Sequence, residues 1–359
     1  MAGYERTAEA SFGTGRSLRA TVVFWCSVLS FVLLVSVALA SGIGAVDIGY
    51  STVVAVLVDA ARRWLPFVSG GGFGGSEAHE TIILNVRLPR IVVGATVGFA
   101  LGAAGAVMQG FFRNPMADPT IIGISSGAAV GAVAVIVYSL SVSVQFAAFV
   151  GALAAAGLVY GLATKNGRTG VATLLLAGIA VQMFLGAIVS YMMHVSDDEG
   201  LRSAVYWLMG NLLYKSWSDV AAVVPPVLLG FGVLLFFARD LNILLLGERE
   251  ARTLGVNPGR TKMVLLAVSS IVTAAAVAVA GVIGFVGLIV PHAMRLVVGP
   301  DHRVLIPTSA LAGAVFLVWA DAVARSVMGG AEMPVGIVTA LVGVPFFLYL
   351  LRTREVHEL

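Results

Sequence analysis

The sequence predicts an all-α, polytopic membrane protein of about ten transmembrane helices, and three observations carry that expectation. Of its 359 residues, 59% are hydrophobic and 11% are charged, whereas an ordinary globular domain carries about 25% charged residues. Mean hydropathy is +0.98, and the apolar residues gather in ten runs, most of them near the roughly 20 residues that cross a hydrocarbon core of about 30 Å. The Lys and Arg residues are spread unevenly over the connections, as loops sorted between two sides of a bilayer require.

The first run, Val22 to Ala40, follows a polar stretch holding Arg16 and Arg19 and ends in Ala38-Leu39-Ala40. That ending suits a signal peptidase, but a run of about 19 residues exceeds the roughly 7–15 of a signal core. An uncleaved first helix is expected, with the amino terminus in the cytoplasm. A glycine-rich connection at Ser69 to Gly75 lacks helical periodicity and is expected to be mobile. Further spans are expected at about 91–111, 119–138, 146–163, 171–193, 220–237, 263–281, 284–298, 305–326 and 334–351. Ten spans put both termini on the same side. Fifteen of the 22 Lys and Arg residues then fall inside, and Arg62, Arg63, Arg87, Arg90, Arg202, Lys215 and Arg325 fall outside. The bias supports the orientation and singles out the exceptions.

Arg87-Leu88-Pro89-Arg90 precedes the second span. Proline stiffens the start of that helix, and arginines so placed either clamp carboxylates bidentately or anchor in lipid headgroups. Arg325 follows Asp321 by one turn, an i,i+4 spacing for an intrahelical ion pair that would also hold Arg325 in place for a partner. Asn114-Pro115-Met116-Ala117-Asp118-Pro119 joins the second and third spans, and both Asn-Pro and Asp-Pro suit an N-cap followed by proline at the first helical position. Such a rigid bend either turns the chain or narrows a pathway with Asn114 and Met116.

The longest inner connection, about 238–262, is expected to fold as helix, turn, helix: Glu248 and Arg252 stand at i,i+4, Gly255 stops the helix, and Asn257-Pro258 starts the next. On the second span, Gly94, Gly98, Gly102 and Gly105 give a small-residue spacing that lets helix backbones approach closely. Gly281, Gly284 and Gly287 ahead of Pro291 predict a short or broken eighth span.

What is missing bounds the function. The chain has no G-x-x-x-x-G-K-[ST] phosphate loop, no H-E-x-x-H, no paired-cysteine motif and no G-x-S-x-G, so an enzyme is not expected and no metal or cofactor is assigned. Cys26 is the lone cysteine and reads as packing; His292 and His302 read as hydrogen-bonded structural residues near the inner interface. A pI near 9.2 reports topology rather than a nucleic-acid partner. Asp321 is the clearest ionisable residue within a span, whereas an ion-coupled carrier usually places acids at mid-depth.

Two long segments carry a family resemblance. Arg87 to Ala128, with RLPR and NPMADP, and Gly281 to Leu351, with GFVGLIVPH, DHR, ADAVAR and EMPVG, resemble the permease subunits of ABC importers for cobalamin, iron-siderophore and haem. The resemblance implies the type II ABC importer permease fold: a single transmembrane domain over 21–351, a polar cytoplasmic tail at 1–20 and another at 352–359. It implies a homodimer in the plasma or inner membrane, with two cytoplasmic ATP-binding subunits and an extracytoplasmic substrate-binding protein. Arg87, Arg90 and Arg325 match positions that meet acidic residues of the binding protein. Gly247, Glu248, Ala251, Arg252, Leu254 and Gly255, within a coupling segment at about 247–257, match the helix that enters the ATPase. Asn114 and Met116 match an inner gate, and Val171 and Ala172 a second constriction, where some relatives carry small hydroxyl residues instead. The implied cargo is a large metal chelate, with cobalamin favoured by the likeness around Tyr206-Trp207-Leu208-Met209-Gly210 and the coupling segment. Ferric siderophore and haem are the alternatives, and an ion-coupled secondary transporter is the reading of a different class.

Overall fold

The computed structural model describes residues 18–44, 46, 48–64, 76–165, 168–327 and 332–353. Most of the expected amino-terminal tail, the Ser69 to Gly75 connection and the end of the carboxy-terminal tail lie outside the described residues. Among the described residues fifteen α-helices follow in order. They are α1 (Leu18–Gly42), α2 (Tyr50–Trp64), α3 (Glu77–Thr81), α4 (Leu88–Phe112), α5 (Ile124–Tyr138), α6 (Val144–Ala163), α7 (Val171–His194) and α8 (Asp198–Leu208), then α9 (Trp217–Phe236), α10 (Ala238–Leu246), α11 (Glu248–Thr253), α12 (Pro258–Ala280), α13 (Val286–Val298), α14 (His302–Ser326) and α15 (Val335–Thr353). A two-residue hairpin, β1 (Thr164–Lys165) and β2 (Arg168–Thr169), pairs Thr164 with Thr169 between α6 and α7.

Each of the ten apolar runs coincides with one helix. Seven are long enough to span a bilayer unaided, and α5, α13 and α15 are the shorter ones. Helices α2, α3, α8, α10 and α11 lie in the connections, and of these only α11 is expected from the sequence. Outer faces carry exposed Phe31, Phe184 and Leu229, the surface a hydrocarbon solvent favours.

The bundle is organised around α4, which is buried along nearly its whole length. The glycines explain how. A Cβ on Gly98 would lie 2.1 Å from the Gly313 carbonyl oxygen, one on Gly102 2.2 Å from that of Ser309, and one on Gly105 2.0 Å from that of Gly287. Helices α14 and α13 therefore touch α4 backbone to backbone, gaining dispersion contact that larger side chains would prevent.

Two span boundaries differ from expectation. The third span begins at Ile124 rather than 119, because Asp118 caps a single 3-10 turn, Pro119–Ile122, by accepting from Thr120 N at 2.8 Å, and Gly123 then takes φ 84°. The α4 rod also continues backward through a π-helical stretch, Ile82–Arg87, into α3. Pro89 lacks an N–H and crowds the preceding turn, so the wider π turn ahead of it is the expected accommodation. The eighth span is short, as its glycines predicted: α13 has 13 residues and follows a non-helical stretch in which Phe285 takes φ 68°.

Candidate functional site

Two built polar assemblies stand at opposite ends of α4, one about Arg90 in its first turn and one about its cap Arg113. At the first end, Arg87 leaves the π-helical stretch and lies over the last turn of α1. It donates to the carbonyls of Ser41 at 2.7 Å and Gly42 at 3.0 Å, and also to that of Val46. A Cβ on Gly44 would lie 2.7 Å from its guanidinium, so glycine there lets the chain pass close under the arginine. Arg325 caps the same helix, donating to Ile43 O at 2.6 Å and Ala40 O at 3.2 Å. Two cations thereby satisfy orphan carbonyls and face the negative end of the α1 dipole.

Arg90 forms the centre of the assembly. Its Nε and Nη2 donate to Asp321 Oδ1 at 3.0 and 2.8 Å, and its Nη1 to Glu332 Oε2. Asp321 also faces Arg325, with Nε 3.1 Å from Oδ2, which is the expected i,i+4 pair. Arg87, Arg90 and Arg325 are 6, 7 and 8% exposed, Asp321 is 1% exposed, and the Glu332 side chain is 33% exposed. The structure brings the three predicted arginines together. Their guanidiniums join a knot closed by two of the chain's own acids and by the carbonyls of α1, tying α1, α4, α14 and the approach to α15. Leaving buried guanidiniums unpaired would cost about 3–5 kcal/mol, which is why the chain supplies acids of its own. Glu332, in EMPVG, was not foreseen as the partner of Arg90.

At the second end, α10 and α11 meet at Gly247, φ 134°, and α11 meets α12 through Gly255, φ 82°. Asn257 caps α12 by accepting from Arg260 N at 3.1 Å, with Pro258 at its first position. This is the expected helix, turn, helix, and its residues divide by face. Ala251 is buried with Leu244 and Val256, while Glu248, Arg252 and Leu254 face outward. Glu248 pairs with Lys262 at 2.6 Å and with Arg252 at 3.4 Å.

Three contacts fasten this elbow to the bundle. Arg113, the left-handed cap of α4, donates to Leu244 O at 2.6 Å. Asn242 donates to Asp301 at 2.7 Å, and its oxygen accepts from His302 N at 3.0 Å and lies 2.8 Å from His302 Nδ1, giving that histidine the structural role its sequence context suggested. Burial pushes the Asp301 carboxyl up, but hydrogen bonds from Arg303 and Asn242 outweigh it and hold the group below the usual carboxylate range. A cavity of about 350 Å³ opens between the end of α4, the elbow and α7, lined by Phe111, Arg113, Val171, Leu241, Gly247 and Glu248. Of the predicted constriction residues, Val171 therefore shares a cavity with the elbow, and Ala172 is exposed on the first turn of α7. Asn114 and Met116 share a tight turn beside Arg113, with Asn114 Oδ1 accepting from Met116 N at 2.9 Å. Asn114 does not start a helix as expected, because its carboxamide closes that turn instead.

The profile of the FecCD transport family matches residues 32–353. The chain belongs to the FecCD transport family. As a FecCD permease it is the pore-forming subunit of an ABC transporter, not an enzyme, and its family implies separate ATP-binding and substrate-binding partners. It is 55% identical to the cobalamin import system permease protein BtuC of Halobacterium salinarum, over 96% of this chain and all of that protein. It is 46% identical to the hemin transport system permease protein HmuU of Yersinia pestis, over 78% of this chain and 86% of that one. A solved inward-facing structure assigned to the metal-chelate type of ABC transporter superposes with a TM-score of 0.76 at 31% identity, covering 92% of this chain and 99% of the other.

Proposed function

We propose that this FecCD permease carries cobalamin, as a homodimer with two cytoplasmic ATP-binding subunits and one extracytoplasmic substrate-binding protein. The observation that carries the cargo assignment is the 55% identity, over almost the whole chain, to a permease named for cobalamin import. The charge bias of the connections supports a plasma or inner membrane orientation with both termini cytoplasmic, the knot outside and the elbow inside.

In this reading residues 21–351 form one permease domain between short tails. The binding protein docks over Arg87, Arg90 and Arg325, and its carboxylates compete with Glu332 and the α1 carbonyls for those guanidiniums. The segment 247–257 meets the ATPase: Glu248, Arg252 and Leu254 present the contact face, Ala251 fixes the helix to the bundle, and Gly247 and Gly255 set its angle. Asn114, Met116, Val171 and Ala172 gate the inner side, with Val171 coupled to the elbow through the shared cavity. The test is uptake of labelled cobalamin, ferric siderophore and haem by vesicles holding the assembled transporter. Uptake of cobalamin alone is expected. Uptake of an iron chelate in its place would keep the machine and overturn the cargo.

A further inference from the structure

A groove of about 290 Å³ lies between α6, α7 and α12, lined by Ile122, Leu153, Tyr160, Leu174, Met263 and Leu266 among others. Its lining is almost wholly apolar. Ser270 borders it too, but its hydroxyl donates to Leu266 O at 2.7 Å. Such a site does not hold water well, because water needs several polar partners.

The α12 wall carries Met263, Ala267 and Ile271, and Arg260 precedes Met263 by three residues, so all four fall on one face of the helix at spacings of three and four. From Arg260 to Ile271 the helix rises about 16 Å at 1.5 Å per residue. That is close to half of a hydrocarbon core of about 30 Å, so this helix face, from Arg260 through the groove, follows the depth of one leaflet. Arg260 stands at its end, in the first turn of α12, with an exposed side chain and no ion pair among the described residues. A lipid acyl chain matches the length and the apolar lining, and an anionic headgroup matches the cation at the leaflet surface.

We propose that this groove is a resident-lipid site holding one acyl chain of an anionic phospholipid whose phosphate is bound by Arg260. The chain lies against Leu174, one turn beyond Val171, and against Met263, next to the Lys262 that pairs with Glu248. The lipid thus braces the start of α7 against the helix that carries the elbow. The inference rests on the chain spanning a bilayer and not on which cargo it moves.

The structure supplies clean variants. A Cβ at Gly157, on the groove, meets no atom within 4 Å, and neither does one at Gly186 on α7, which does not line it. Gly157→Leu fills the groove, and Gly186→Leu is its control. Each protein is purified in mild detergent from membranes containing phosphatidylglycerol and phosphatidylethanolamine, and retained phospholipid per chain is read by native mass spectrometry. Wild type and Gly186→Leu are expected to retain one phosphatidylglycerol per chain, and Gly157→Leu to lose it at least tenfold. Arg260→Gln is expected to retain phospholipid without preferring phosphatidylglycerol. Should Gly157→Leu fail to fold, Ala267→Phe blocks the same groove from its exposed wall, with the same loss expected. Retention by the groove-filling variant equal to wild type, or wild type holding detergent only, overturns the site. Equal retention of both phospholipids by wild type overturns the headgroup assignment.

Discussion

Replacing Asp321 with Ala removes the carboxylate on which the arginine knot turns. Asp321 is 1% exposed and meets Arg90 through two nitrogens and Arg325 through Nε at 3.1 Å. Without it Arg90 keeps only Glu332, and Arg325 keeps only two carbonyls of α1. Two cations at 7 and 8% exposure then lack their shared counter-ion. Removing one partner from a buried ion pair costs about 3–5 kcal/mol, and with roughly 2–4 °C per kcal/mol in larger domains the melting temperature should fall by about 10 °C. The assay is thermal unfolding of the purified protein in detergent followed by tryptophan fluorescence. Trp319 is a suitable reporter, because its indole N–H donates to Ser36 Oγ at 3.0 Å across the same α1–α14 contact. Glu332→Gln should cost far less, about 1 kcal/mol, since the Glu332 side chain is 33% exposed and screened by water. A change of less than about 1 kcal/mol for Asp321→Ala, against the 3–5 expected of a buried pair, would refute the reasoning: the guanidiniums would then not depend on the knot.

Gly98→Ala sets a Cβ 2.1 Å from the Gly313 carbonyl oxygen, and because backbone cannot swing aside, α4 and α14 must separate at a cost of about 1–3 kcal/mol, measurable in the same unfolding assay. Gly247→Ala forces φ 134° on a residue with a side chain, so the elbow should lose its angle and ATP-dependent uptake should fall while the amount of folded protein, checked by size-exclusion chromatography, holds. The Asp301 carboxyl is held below its ordinary range in the folded state. Its contribution is therefore fully present above the unfolded carboxylate pKa and is lost as pH falls through the folded value. Asp301→Asn should abolish that acid-side component, seen as a smaller stability difference between neutral and acid pH than in wild type.

Much of this fold is legible in the sequence because hydropathy and length decide spans almost alone, and each of ten runs became a helix. Gly98, Gly102 and Gly105 were readable for the same reason: spacing on one helix is local. The turn from α11 into α12 was readable too, since Gly255 and Asn257-Pro258 act on their own backbones, whereas Gly247 entered only through the family resemblance. The knot was only half readable. Asp321 and Arg325 are four residues apart, but Arg90 meets Asp321 across 231 positions and Glu332 across 242, so nothing local revealed that the arginines find acids within their own chain. Helix α8 was missed because its 11 residues are amphipathic rather than uniformly apolar and begin from an Asp197 cap, a signal that hydropathy averages away.

In the proposed mechanism a separate ATPase drives cargo through the pore by way of the elbow. The direct measurement is labelled cobalamin accumulation in proteoliposomes holding this chain, its ATP-binding subunit and loaded binding protein, with trapped ATP against a trapped non-hydrolysable analogue. Accumulation with ATP alone, abolished by the analogue and reduced by Gly247→Ala, is the predicted result; accumulation equal in both, or driven by an ion gradient without nucleotide, would contradict the account.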